Sequence, residues 1–250
     1  MVKRDFDRIT EHWRELGAED PLWAVYVAPG TQHGGWDVDE FFATGREEVD
    51  RVMSTLSRTP SDDGVALDFG CGVGRLSQAL ARYFGQVVAV DVSAPMIDRA
   101  RELDPGDRRI RFVLNERTDL SFVEDGSIDL VYSSLVLQHL SRPLAAGYLA
   151  EFLRVLRPDG VAVVQVATRP TASLKGWAFR LLPARLTGLL QRRMLHYPAP
   201  MRMQAMPTSW VRNAVTAAGG HIVEADTDES YGGHWVYTRF FLRPGVAASA

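Results

Sequence analysis

The sequence predicts an α/β fold built on a mostly parallel sheet with helices on both faces, and three observations carry that prediction. The run Val65-Ala66-Leu67-Asp68-Phe69 is apolar enough for a strand buried on both faces, and it breaks into glycine at Gly70, Gly72 and Gly74. A second apolar run, Val87-Val88-Ala89-Val90, ends in Asp91. Between the two lies a stretch of helical spacing, and strand-like and helix-like runs keep alternating downstream, as in a doubly wound sheet.

The elements follow in chain order. Residues 1–60 hold Trp13, Trp23, Tyr26, Trp36, Phe41 and Phe42, interrupted by Pro29-Gly30 and Gly34-Gly35, and are expected to form an N-terminal helical cap. Residues 61–168 are the expected ligand-binding core. Its glycines let the chain turn tightly and bring bare backbone N–H groups against a ligand that any Cβ would hold away. From Arg75 to Phe84 the spacing of Leu76, Leu80, Tyr83 and Phe84 is helical, so the loop ends on a helix N-terminus, a seat for a carboxylate. Asp91 and Val92 then stand where a βαβ unit places an acid against ribose hydroxyls.

A dinucleotide site is the competing reading, and the spacing disfavours it. Its G-x-G-x-x-G fingerprint would need glycine where Arg75 stands; here the third glycine comes one position early. Asp68, two residues before the first glycine, would face a pyrophosphate unfavourably and suits a ligand that carries an α-ammonium group.

Ser127 to Ser134 reads as a fourth strand, followed by Leu137-Gln138-His139-Leu140. Leu149 to Leu156 has helical spacing, Arg157-Pro158-Asp159-Gly160 a turn, and Val161 to Val166 a fifth strand. Residues 169–206 form an insert, 207–244 a helix and two β segments (His221–Ala225 and Trp235–Leu242, separated by Gly232-Gly233), and 245–250 a tail expected to be disordered.

With its D-x-G-C-G-x-G loop, the chain resembles the class I S-adenosylmethionine-dependent methyltransferases of the small-molecule type, well over Val65 to Gly160 and more loosely beyond. The resemblance implies a Rossmann-like seven-stranded sheet closed by an antiparallel strand pair, with N-terminal helices folded over the cofactor, S-adenosyl-L-methionine. Carried over residue by residue, it implies that Asp68, Gly70, Cys71, Gly72 and Gly74 hold the methionine part and Asp91 with Val92 the ribose. Phe112 to Leu120 looks like the adenine segment, with Glu116 at the adenine amino group and Arg117 supplying backbone contacts. Ser134, at the end of the fourth strand, joins the cofactor set; Arg46, in Phe41-Phe42-Ala43-Thr44-Gly45-Arg46, either meets the cofactor carboxylate or is a solvated helix residue.

Composition narrows the partners. With 250 residues, 46% hydrophobic, the chain suits one catalytic unit plus a lid, and it has no stretch of 18 consecutive apolar residues, so no stable membrane insertion is expected. The start leads into a charged helix rather than a signal-peptide core, and the cytoplasm is the expected compartment. The single cysteine, Cys71, excludes an internal disulfide, and no histidine or carboxylate spacing suggests a metal site. At pI ≈ 6.1 and with no RNA-binding module, nucleic acid is not an expected partner.

Charge is lopsided, however. From Gly160 through Val223 there is no Asp or Glu but eight basic residues (Arg169, Lys175, Arg180, Arg185, Arg192, Arg193, Arg202 and Arg212), so a chain of net −3 carries −11 elsewhere. This section reads as a lid for an anionic acceptor, a homodimer contact or a membrane-surface helix. The expected reaction is methyl transfer to a hydroxyl of a small molecule or saccharide; a non-catalytic cofactor-binding protein and N- or C-methylation are the alternatives. His139 is the candidate general base, with a structural role as its rival. His33, His196, Tyr197, Tyr231 and His234 are weaker candidates for acceptor contact.

Overall fold

The computed structural model describes residues 2–56, 63–106, 108–171, 191, 193, 197–228 and 234–245. Seven strands are hydrogen-bonded in the order β3-β2-β1-β4-β5-β7-β6, the mixed sheet expected from the sequence. The chain divides into two compact units, Trp13–Glu116 and Met1–His12 with Arg117–Ala250.

In the first unit β1 (Val65–Phe69), β2 (Gln86–Asp91) and β3 (Ile110–Leu114) run parallel, Phe69 opposite Val90 and Asp91 opposite Leu114. Ala66, Leu67, Val87 and Ala89 have no exposed surface, which is why these strands read as unbroken apolar runs rather than alternating ones. Helix α1 (Val2–Glu19) leads into α2 (Pro21–Val25) and α3 (Val38–Thr55). Asp37 caps α3 by accepting from the Glu40 N–H at 3.0 Å.

Helix α4 (Arg75–Leu80) stops four residues short of the helical spacing that runs on to Phe84. Its last turn tightens, Arg82 N–H to Ala79 O and Tyr83 N–H to Leu80 O, and the Arg82 and Tyr83 side chains both reach Asp50 at 2.7 Å. Helix α5 (Ala94–Leu103) joins β2 to β3.

The second unit holds β4 (Ile128–Ser134), a 3₁₀ turn at Leu137–His139, α6 (Arg142–Val155), β5 (Leu156–Pro170), α7 (Thr208–Ala217), β6 (Gly220–Asp228) and β7 (Trp235–Pro244). β4 and β5 are parallel, and β7 runs antiparallel to both β5 and β6. The expected turn at Arg157–Gly160 lies inside β5: Ile128 faces Leu156 but Leu130 faces Val161, so four residues bulge out of the ladder. β6 ends the strand order and is mostly exposed, with Glu224 and Asp226 on it, side chains that discourage pairing with another chain.

Much of the basic insert, including Lys175, Arg180, Arg185 and Arg192, lies outside the described residues, as do His196, Tyr231, Gly232-Gly233 and the tail 246–250. Among the described residues no helix is long and apolar enough to cross a membrane, and no group of three or more His, Cys, Asp or Glu is arranged to hold a metal ion.

Candidate functional site

The glycine loop grows directly out of β1. Gly70, Gly72 and Gly74 all take left-handed φ angles (76°, 53° and 85°), which side-chain-bearing residues rarely adopt, so the three glycines are conformational requirements of this turn. The Gly70 and Cys71 N–H groups donate to the Val90 carbonyl at 2.8 and 3.0 Å, tying the loop to the end of β2. Gly74 is the N-cap of α4 and contributes no side-chain cap.

Asp91 lies at the centre of this arrangement. Its Oδ2 accepts from the Gly72 N–H at 2.9 Å and its Oδ1 from the Ser93 N–H at 2.9 Å, and the Val92 N–H points to it as well. Burial pushes the carboxyl above the usual carboxylate range, and these three N–H groups draw it back. Each oxygen still has lone-pair capacity for a hydroxyl donor.

Asp68 is 1% exposed and accepts from Ser77 Oγ at 2.6 Å. Burial raises its pKa to about 7, against the opposing pull of Ser77 and Arg75. Cys71 is a buried free thiol, and burial with the charges of Asp91 and Asp68 pushes it well above its ordinary range, so it packs rather than reacts.

Gly72 lies under α2: a Cβ there would come within 2.3 Å of Val25 Cγ2. Gly17 of α1 is also close-packed, a Cβ there coming within 2.9 Å of Met96 and Ser93, and Ser93 Oγ donates to the Trp13 carbonyl at 3.0 Å. Glu116 forms an exposed pair with Arg14 at 3.0 Å. The segment from Trp13 to Val25 thus lies along the same edge as the glycine loop, Asp91 and Glu116.

Arg46 is exposed on α3 and lines a shallow pocket with Phe42, Gln78, Arg82, Arg109 and Ile110. Two residues further along α3, Glu48 pairs with Arg75 at 2.8 Å, both nearly fully buried, and the Arg75 guanidinium stacks on Tyr26 at 5.0 Å.

In the second unit the Arg117 carbonyl accepts from Tyr148 Oη at 2.8 Å, and Arg117 Nη1 donates to Ser121 at 3.2 Å. Ser134 is buried at the end of β4, its Oγ 3.4 Å from Gln165 Oε1. His139 Nδ1 lies 2.6 Å from the Arg202 carbonyl, and the ring also meets the Leu135 carbonyl. Burial lowers its pKa to about 4, so the ring is neutral at physiological pH.

Three features escaped the sequence reading. Ser77 braces Asp68 from a helix face, Glu48 partners Arg75 across 27 residues, and Gln165 sits in a buried polar chain with Asp228 and Arg239. Only Gln165 left a signal, as the one polar residue in the apolar run Val161 to Val166.

Comparison with known proteins agrees with this geometry. A methyltransferase-domain family matches residues 67–164. The chain is 32% identical over 158 residues to a 2-methyl-6-phytyl-1,4-hydroquinone methyltransferase of Synechocystis, covering 62% of this chain and about half (48%) of that relative. It is 30% identical over 203 residues to a trans-aconitate 2-methyltransferase of Azoarcus, covering 76% of this chain and 77% of the relative. Among solved structures, magnesium protoporphyrin IX methyltransferase from Synechocystis with bound SAH superposes with a TM-score of 0.62 at 18% identity, covering 95% of this chain and 99% of that one, a likeness of fold. The chain belongs to the class I S-adenosylmethionine-dependent methyltransferase family.

Proposed function

We propose that the protein transfers the methyl group of S-adenosylmethionine to a hydroxyl of a small, polar or anionic acceptor. The observation that carries the cofactor half of this reading is the Asp91 carboxylate, held by the backbone N–H groups of Gly72, Val92 and Ser93 beside three left-handed glycines. The residues fit the group. Asp91 offers acceptor capacity for two ribose hydroxyls, Asp68 is an acid suited to an α-ammonium, Glu116 can accept from an adenine amino group, and the glycine loop leaves backbone bare.

When bound, S-adenosylmethionine supplies an electrophilic methyl on a sulfonium, so the protein's work is alignment and exclusion of water. Asp68 and Asp91 orient the ligand by charge-assisted hydrogen bonds. Arg117, at the start of the following segment, has its carbonyl fixed by Tyr148. For the acceptor, the absence of any acid between Gly160 and Val223 against eight basic residues supports a polar or anionic molecule. Of the relatives, the trans-aconitate methyltransferase is named for an anionic small molecule, whereas the hydroquinone methyltransferase is named for one that carries an apolar phytyl chain.

His139 stands at the carboxyl end of β4, where open α/β sheets meet their ligands. Its contacts with the Arg202 and Leu135 carbonyls support a holding role, fixing the turn after β4 against residues 202–204, over that of general base.

The test is release of S-adenosylhomocysteine from labelled cofactor in the presence of 1,4-hydroquinone, trans-aconitate and a set of monosaccharides. Release that depends on 1,4-hydroquinone or a monosaccharide, with the label found on oxygen in the product, supports the reading, and release with trans-aconitate, which has carboxyl groups and no hydroxyl, assigns a carboxylate acceptor instead. Cofactor binding with no release on any hydroxyl acceptor, or methyl transfer only to nitrogen, overturns it.

A further inference from the structure

Four strands of the second unit share one polar row. Ser134 on β4 faces Gln165 on β5, Gln165 faces Arg239 on β7, and Arg239 faces Asp226 on β6; registered partners project to the same face of a sheet. Asp228, two residues beyond Asp226, joins them. Ser134, Gln165, Asp228 and Arg239 are each 7% exposed or less. Burial of two charges and an amide is costly unless every group is held, so such a row is informative about what it fixes.

Gln165 has its amide orientation dictated from both ends. Its Oε1 accepts from the Leu135 N–H at 3.1 Å and lies 3.4 Å from Ser134 Oγ; its Nε2 donates to Asp228 Oδ2 at 3.3 Å. Arg239 holds Asp228 through Nη2 and Asp226 through Nη1. A flipped amide would set its NH₂ against the Leu135 N–H and its oxygen against a carboxylate.

What this chain grips is a strained residue. Leu135 has φ 62°, in the left-handed region that a bulky side chain enters only where its surroundings enforce it. The residue opens the segment that runs into the 3₁₀ turn Leu137–His139, and its carbonyl meets the His139 ring, which in turn meets the Arg202 carbonyl. Gln204 completes the clasp, its N–H donating to the Gln138 carbonyl at 2.9 Å.

We propose that Gln165 is a positioning residue: backed by Asp228 and Arg239, it enforces the left-handed turn at Leu135 and so sets how residues 134–140 are presented at the carboxyl end of β4. The link to methyl transfer rests on the function proposed above, in which that end of the strand meets the acceptor.

Three variants test it. Gln165→Leu removes both amide contacts at similar volume, Leu135→Ile keeps side-chain volume but adds a β-branch that resists positive φ, and Gln165→Leu with Leu135→Gly places a residue there that takes positive φ without strain. Amide hydrogen exchange is read at Leu135–Leu140 and affinity for S-adenosylhomocysteine by calorimetry. Exchange at His139 and Leu140, whose N–H groups bond within the turn, is expected to rise about tenfold or more in Gln165→Leu and in Leu135→Ile and to return to within about threefold of wild type in the double variant, while cofactor affinity stays within about threefold throughout.

Unchanged exchange in Gln165→Leu, failure of glycine to rescue it, or equal loosening of every amide overturns the proposal. If Gln165→Leu does not fold, Leu135→Ile decides alone, and unchanged exchange there is the overturning result. A wild type that methylates no acceptor would sink the proposed reaction while these exchange measurements still judge Gln165.

Discussion

If Asp68 receives the α-ammonium as proposed, its buried carboxyl should make cofactor affinity depend on pH in a definite direction. Its pKa of about 7 lies well above the ordinary aspartate value of 3.8, so the folded, cofactor-free chain keeps a proton that the unfolded chain gives up over that interval. Stability that is fully present below pH 4 is therefore lost as pH rises toward 7. Over about three pH units at about 1.4 kcal/mol per unit, the loss is roughly 4 kcal/mol. A bound α-ammonium favours the ionised carboxyl, so binding below pH 7 must expel a proton. Affinity for S-adenosylhomocysteine should then rise by up to about tenfold per pH unit between pH 5.5 and 7, level off, and decline above about 8 as the ligand amine itself deprotonates. Calorimetry in two buffers of different ionisation enthalpy reads both the affinity and the proton released. Asp68→Asn should bind about 10- to 100-fold more weakly at pH 7.5, having lost a charged hydrogen bond, and should show no slope below pH 7. A flat wild-type profile, or a slope that survives in Asp68→Asn, would refute the placement of the ammonium at Asp68.

Other perturbations have equally definite outcomes. Glu48→Leu strands the buried Arg75 charge and should cost about 3–5 kcal/mol in chemical denaturation, with Glu48→Leu/Arg75→Leu recovering most of it; a loss under 1 kcal/mol would mean the pair is not buried as described. Gly72→Ala places a Cβ at φ 53° within 2.3 Å of Val25 Cγ2, so it should lose about 1–2 kcal/mol from the backbone alone and more from the contact. Adding Val25→Ala should return only the contact part, which a double-mutant cycle measures. His139→Ala should leave S-adenosylhomocysteine affinity within about threefold and raise amide exchange over residues 202–204; a turnover loss of about 10²–10⁴ with normal exchange there would instead assign His139 the general-base role.

The parts of the molecule legible in the sequence are those set by local rules. Glycines at alternate positions after an apolar strand mark a tight turn, and the loop at Gly70, Gly72 and Gly74 makes one with left-handed backbone at each position. The place of Asp91 at the end of the second strand was legible because the apolar run stops there, whereas its bond to the Gly72 N–H was not. Long-range partnerships were not legible. Asp68 gives no hint of Ser77, because the bond depends on how α4 packs on β1, and the 63 residues between Gln165 and Asp228 are closed only by the pairing of β5 with β7 and of β7 with β6. The end of α4 was misplaced because Tyr83 and Phe84 keep helical spacing while Asp50 draws Arg82 and Tyr83 into a tighter turn. Arg157–Gly160 has the composition of a turn, and register alone shows that it bulges from within β5.

Binding of S-adenosylmethionine to the wild type and to Asp91→Ala, followed by calorimetry and paired with thermal unfolding of both, tests the central claim most directly. Asp91 holds the Gly72 and Ser93 N–H groups besides its proposed role at a ribose, so the variant should melt at a lower temperature yet remain folded at 25 °C. The wild type is expected to bind, and the folded variant to bind more weakly by about 2–4 kcal/mol, roughly 30- to 1,000-fold. A folded Asp91→Ala protein that binds S-adenosylmethionine as tightly as the wild type would contradict it.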